Sequence, residues 1–289
     1  MRVRLFQRGF NYSQDGPGNR LVYHFQGCNM RCPWCANPEG LEKGGVLMVR
    51  KGRLLPEYCP FGAIHDNEID RNICKTCKSR ACIYEHPNRQ ITFSCKEYEV
   101  KELLDEASES RSLFIDGGGV TASGGEPTLQ FDALEELLRG LKVLGINTAI
   151  ESNATHPRLP SLFDIIDFLI LDLKCVDGER HRTVTGVDNK TIKVNIRSAL
   201  CCHPNVLIRV PLIGGFNTSK KDIEELISFF HCCGSTNVTV EFLGYHEYGK
   251  EKWAMCGYPY KPVNAFVPDE TIKMFEDECK KAGLRVLHT

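Results

Sequence analysis

Several things are missing from this 289-residue chain, and each absence removes a class of protein. Excess charge is one: 36 Lys and Arg stand against 37 Asp and Glu, a net charge of -1. No general electrostatic footprint for nucleic acid follows, although a local basic patch stays open. Long apolar runs are another. None approaches the ~20 residues of a membrane span, and the opening MRVRLFQRGFNY is broken by Arg2, Arg4 and Arg8 where a secretion signal needs an unbroken apolar stretch. Internal repeats and low-complexity linkers are absent too. With 42% hydrophobic residues and a length near the upper size for a single core, one main domain with an insertion is expected.

Cysteine, by contrast, is abundant. Fifteen cysteines in a chain without a secretion signal read as metal ligands and reduced thiols rather than a disulfide framework. The expected location is the cytoplasm of a cell growing without oxygen. Three of the cysteines, Cys28, Cys32 and Cys35, fall in GCNMRCPWCANPEG. An electron-transfer cluster takes four thiolates, whereas a metal site that does chemistry keeps one coordination position open. Three thiolates at this spacing can hold a 4Fe-4S cluster with one iron lacking a protein ligand, which argues for catalysis. A structural zinc site is the alternative, but Asn37 and Glu39 are poor fourth ligands.

Apolar, β-rich runs alternate with amphipathic stretches along the chain. Strands are expected from Leu21, Gly119, Asn147, Asp167, Val206 and Val238, with helices in YEVKELLDEASES, LQFDALEELLRGLKVLG and KKDIEELISFFHCCG. This is an α/β pattern, a parallel sheet with helical crossovers, and six units suggest a partial (β/α)6 barrel. Active sites of such barrels lie at the carboxyl ends of the strands. The segment 40–94 breaks the alternation and is expected to be an inserted metal domain, with 1–39 and 95–289 forming the barrel.

That segment retains fragments of the CxxCxxCxxxCP repeats of bacterial two-cluster ferredoxins, in which the cysteine before each proline ligates the other half's cluster. Cys59 in CPFGAI and Cys74, Cys77 and Cys82 in CKTCKSRACIYEHP make one complete ligand set. A single auxiliary 4Fe-4S cluster is expected, with a four-cysteine zinc site as the alternative. Cys95 and His86 compete with Cys82 as the last ligand. SCKEYEVKELL, however, reads as a helix start capped by Ser94. The other eight cysteines read as inert thiols.

CxxxCxxC with Trp34 before the last cysteine resembles the radical S-adenosylmethionine (SAM) enzymes. Ser123-Gly124-Gly125-Glu126 closes the second expected strand; its glycines allow close backbone approach, and Glu126 offers an acceptor for an ammonium group. Asp172 and Lys174, two apart, project from one face of a strand. In order, DGPGNR, FQGCNMRCPWCANPEG, SGGEP, ESN, DLK, RVPLIGGFN and GYHEYGKEKW closely resemble the glycyl radical enzyme activating enzymes over essentially the full chain. The insertion resembles the subgroup with ferredoxin-like auxiliary clusters.

The resemblance implies that Cys28, Cys32 and Cys35 ligate the SAM-binding cluster. It places Gly124, Gly125, Glu126, Lys174 and His246 along SAM and Asp15 and Gly16 against a substrate peptide. Arg209 would contact SAM or that peptide. A monovalent cation beside SAM would fall to Glu151, Ser152 and Asp172. The implied reaction is reductive cleavage of SAM, followed by abstraction of a glycine Cα hydrogen from a partner glycyl radical enzyme, with a flavodoxin- or ferredoxin-type reductant. No nucleic acid or membrane partner is expected. A radical SAM enzyme acting on a small molecule and an iron–sulfur electron carrier are the competing classes.

Overall fold

The structure, a computed structural model, describes residues 1–234 and 238–288. Its first strand, β1 (Arg2–Tyr12), pairs antiparallel with β2 (Asn19–Phe25). No strand is expected in the opening segment, yet its punctuating charges are the signal: Val3 and Leu5 are buried while Arg2 faces solvent, a period of two. Beyond the cysteine loop come β3 (Leu47–Val49), the two-residue strands β4 (Ile64–His65) and β5 (Glu68–Ile69), helices α1 (Arg71–Thr76) and α2 (Ala81–Glu85), and β6 (Ile91–Phe93). The outer pair β3 and β6 and the inner pair β4 and β5 form two antiparallel ladders around buried Leu54, Ile64 and Ile91.

The chain then returns to the main sheet as β7 (Lys96–Glu99), antiparallel to β1. Ser94 therefore caps no helix. Its Oγ accepts from the Val46 amide at 3.0 Å and donates to Gln26 at 3.2 Å. The helix α3 (Val100–Glu109) starts later, with Glu99 and Glu102 in a reciprocal capping box.

The rest alternates as expected: β8 (Gly119–Gly124), α4 (Phe131–Val143), β9 (Thr148–Ser152), β10 (Phe168–Asp172), α5 (Gly178–Thr185), α6 (Lys190–Cys202), β11 (Val206–Leu212), α7 (Lys220–Cys232), β12 (Thr239–Gly244), α8 (Lys250–Cys256), α9 (Asp269–Lys281) and β13 (Arg285–Leu287). The sheet order is β13-β12-β11-β10-β9-β8-β2-β1-β7. The six expected strands are neighbours and run parallel. The order ends on β7 and β13 without closing, so the barrel is partial.

Each helix docks by one apolar stripe. In α4, Phe131, Leu134, Leu138 and Leu141 recur every three or four residues and are buried. The strands they cover contribute Leu21, Tyr23, Phe25, Val120, Ala122, Ile150, Leu171, Ile208, Val240 and Phe242 to the same core. Alternate positions carry a different chemistry on the opposite, inner face: Arg20, Thr121, Ser123, Glu151, Arg209 and Glu241. A polar interior under a continuous apolar jacket is what positions the site. Among the described residues no helix is long and apolar enough to cross a membrane.

Candidate active site

The cysteine loop leaves the carboxyl end of β2 and is held by backbone. Gly27 and Cys28 amides donate to the Gly40 and Leu41 carbonyls at 2.8 and 3.0 Å, and the Gln26 side-chain Nε2 donates to the Glu39 and Glu42 carbonyls. The far side is pinned by α8, where the Trp253 indole donates to the Cys35 carbonyl at 2.8 Å and Lys252 pairs with Glu39 at 2.6 Å. Cys28, Cys32 and Cys35 thereby line one cavity of about 190 Å³, together with Met30, Trp34, Ala36, Leu41, Gly124, Gly125, Asn153, Asp172, Lys174, Pro211 and Leu243. All of it lies at the carboxyl ends of the parallel strands, as the barrel rule requires.

Burial pushes the Cys28 and Cys35 thiols up to about 12 and also raises Cys32. Metal ligation requires thiolates, and the cavity holds the compensating charge: Lys174, whose ammonium favours the ionised forms of Cys32 and Cys35. Burial works against the Lys174 charge, but Asp172 at 2.8 Å and the cysteines outweigh it and raise its pKa. Asp172 and Lys174 are thus an ion pair and also part of the cavity wall. The donor set suits an iron–sulfur cluster: three convergent sulfurs, an ammonium, and no fourth cysteine in the lining.

Gly124 and Gly125 are required sterically. Gly124 has φ +118°, and a Cβ on Gly125 would lie 2.3 Å from the Gly27 carbonyl oxygen and 2.7 Å from that of Gly40. Glu126 lies just behind the cavity lining. Its carboxylate is fully buried and accepts from the Thr128 amide (3.0 Å) and hydroxyl (2.5 Å), the Ser152 hydroxyl (2.8 Å) and the Asn153 amide (2.7 Å). Three of these donors fall on Oε1 and one on Oε2. Glu126 therefore ties the ends of β8 and β9 together, and backbone at Gly124 and Gly125 is what reaches the cavity. Asn153, fixed by that bond, donates to Asn29 at 2.9 Å and approaches the Cys28 sulfur at 3.9 Å.

A second constellation lies inside the barrel. Arg209 donates to Glu241 at 2.6 Å, to Glu151 at 2.8 Å and to the Gln14 carbonyl, while the Ser123 hydroxyl donates to Glu151 at 2.8 Å. Asp15 joins through Asn11 at 2.5 Å and a hydrogen bond shared with Glu151. Because DGPG is the turn between antiparallel β1 and β2, it sits at the amino end of β2 and folds inward, with Gly16 at φ +117° packed on the buried Arg20. Burial and the neighbouring Glu151 push the Asp15 carboxyl up to about 6, against Asn11 and Arg209. Burial also acts on Glu151, but Arg209 and Ser123 outweigh it and hold its pKa low.

Glu151, Ser152 and Asp172 do not converge on one point. Their partners are Arg209, Glu126 and Lys174 respectively, and Glu151 and Ser152 project from opposite faces of β9. His246 stacks on Tyr248 at 4.2 Å outside the cavity lining, its pKa lowered by burial.

Comparison with known proteins agrees with this geometry. Residues 22–230 match the radical SAM superfamily model. The 4-hydroxyphenylacetate decarboxylase activating enzyme of Clostridioides difficile strain 630 is 35% identical over 266 residues, covering 86% of this chain and 83% of the relative. The indoleacetate decarboxylase activating enzyme of Tractidigestivibacter scatoligenes is 31% identical, covering 93% and 91%. The chain belongs to the radical SAM superfamily, among the glycyl radical enzyme activating enzymes. A solved domain of pyruvate-formate lyase-activating enzyme from Bacteroides vulgatus superposes with a TM-score of 0.50 at 26% identity, over 59% of this chain and 98% of that one. Streptococcus suis SuiB with its precursor peptide SuiA shares the fold, with a TM-score of 0.56 at 14% identity, over 92% and 48%.

In this activating enzyme the cysteines of the second group lie within electrostatic reach of one another. Burial, then Cys59 and Cys77, raise the Cys74 thiol; burial, then Cys59, Cys74 and Cys77, push Cys82 up to about 11. The charged neighbours of Cys95 are Arg4, Glu97 and Arg80, with none of the four cysteines among them. His86 is buried with its Nε2 accepting from the Leu55 amide at 3.1 Å. Among the described residues no group of three His, Cys, Asp or Glu side chains is gathered as a site for a metal ion. Sequence reading passed over Asn153 as a site residue, along with Met30, Leu41, Pro211 and Leu243. ESN directly after a strand was a usable signal for Asn153; the apolar lining had none.

Proposed function

We propose that the Cys28, Cys32 and Cys35 cavity holds the cluster and SAM with which this activating enzyme places a radical on a glycine of its partner. The carrying observation is that three thiols, the Gly124–Gly125 backbone, Asn153 and the Asp172–Lys174 pair line one cavity at the strand ends. When bound, the cluster supplies the electron that splits SAM and starts hydrogen abstraction. The chain's residues do the rest. Lys174 offsets thiolate charge, Gly124 and Gly125 present backbone to the methionyl end, and Asn153 is held rigid by Glu126. Trp34, Met30, Leu41, Pro211 and Leu243 exclude water. His246 is assigned the outer rim of the SAM site. Arg209 anchors the 13–18 turn through the Gln14 carbonyl, which sets Asp15 and Gly16 for a peptide inside the barrel. Such positioning is worth several kcal/mol in near-attack geometry.

Residues 40–94 are assigned an auxiliary 4Fe-4S cluster on Cys59, Cys74, Cys77 and Cys82. The outer ladder, inner ladder and shared apolar centre support this, as does the separation of Cys95. A monovalent cation would have to draw Glu151 from Arg209 and Asp172 from Lys174, so none is included. The test is anaerobic incubation with SAM, a reductant and the glycyl radical enzyme encoded alongside. A persistent glycine-centred radical by electron paramagnetic resonance is expected. Efficient SAM cleavage without a radical on any such partner, or stoichiometric consumption of a small molecule, would overturn it.

A further inference from the structure

Charge is segregated in this chain. Residues 40–94 carry nine Lys and Arg against six Asp and Glu, leaving 27 against 31 elsewhere. The basic excess has a focus. An open cavity of about 710 Å³ is lined by Lys75, Thr76, Cys77, Lys78, Ser79, Arg80 and Tyr84: three cations and no carboxylate. Cys77 contributes to its wall, and its sulfur accepts from the Arg80 amide at 3.4 Å. Arg80 is fixed over the Phe93 ring at 3.6 Å, so its charge is held in place. Tyr84, beside Cys82, is 83% exposed, and Phe61, beside Cys59, is 55% exposed. Each aromatic stands two residues after one of the four cysteines in sequence, and Tyr84 also lines the cavity. Nothing in the cavity described above uses these residues.

We infer that this face, resting on the reading of residues 40–94 as a cluster unit, is the docking surface for an acidic one-electron carrier protein. The chemistry is complementary. Small redox partners meet over weak, transient interfaces, and opposite charge steers such encounters and sets their rate. Exposed Tyr84 supplies an apolar contact between the lysines. One electron would leave the reduced carrier, oxidising it by one, and would reduce by one the auxiliary cluster that Cys77, in the wall of this surface, would help hold; no atom is transferred. A nucleic acid is the other polyanion such a patch can attract, but the overall net charge of -1 disfavours it.

The test is anaerobic titration of the reconstituted full chain with a purified acidic flavodoxin at 50 mM and 500 mM salt. Lys75→Glu/Lys78→Glu should weaken binding at low salt by roughly 10- to 100-fold, and high salt should erase the difference. Tyr84→Ala should weaken binding at both salts. SAM cleavage driven by dithionite should be unchanged in the charge-reversal variant and its iron content should stay at about eight, which together show that the barrel and residues 40–94 are folded. An unchanged Kd in that variant, or preferential binding of a single-stranded RNA oligonucleotide, overturns the proposal. Iron analysis of the same samples separates the two readings. About eight irons with an unchanged Kd overturns docking alone; about four overturns the cluster and the docking proposal with it.

Discussion

Asp15→Asn is the sharpest test of the buried network, because its effect depends on pH in a direction that a mere packing defect would not follow. Asp15 is 9% exposed, beside the Glu151 carboxylate, and burial with that neighbour pushes its pKa from 3.8 to about 6. At about 1.4 kcal/mol per pH unit, that rise amounts to roughly 3 kcal/mol in all. The raised pKa means that the folded protein holds a proton the unfolded chain releases. Its contribution is fully present below pH 3.8 and is lost as pH rises through about 6. Asparagine carries no charge at any pH and can donate to Glu151 as the protonated acid does. Relative to wild type, the variant should therefore gain stability as pH rises. Between pH 5 and pH 8 the linkage relation puts that gain at about 1.4 kcal/mol. Anaerobic urea denaturation of both proteins at the two pH values reads it directly. A stability difference between the two proteins that is the same at pH 5 and pH 8 would refute the shared proton and the placement of DGPG against Glu151.

Fully reconstituted protein should contain about eight irons and negligible zinc; four irons with stoichiometric zinc would sink the auxiliary assignment. Cys32→Ala should abolish SAM cleavage, whereas folded Cys59→Ala should retain about four irons and some dithionite-driven cleavage, measured as 5′-deoxyadenosine. Gly125→Ala forces a methyl against two carbonyl oxygens and should cost about 1–3 kcal/mol, seen as a lower Tm together with loss of iron. Glu126→Gln turns an acceptor into a donor amid four donors and should cost about 1–3 kcal/mol, with SAM affinity falling because Asn153 loses its anchor.

The sequence by itself determined whatever depends on near neighbours. Six parallel strands and three helices were legible because their apolar residues recur at the period of two or of 3.6 that burying one face demands. CxxxCxxC was legible because three cysteines within eight residues suggest their chemistry through spacing alone. Tertiary structure decided everything that depends on pairing across distance. KEYE has the charge of a helix start, and becomes β7 only because β1, more than ninety residues earlier, offers it a ladder. DGPG looks adjacent to the cysteine loop in sequence, but an antiparallel turn sends it to the opposite end of β2. Glu126 stands alone in sequence, and only the fold brings Ser152 and Asn153 of the next strand end onto its carboxylate. Glu151, Arg209 and Glu241 stand on three strands as unremarkable charges, and only the curl of the sheet joins them in one buried network. Local spacing can specify which atoms bear the chemistry, but a hydrogen bond's partner is chosen by the fold.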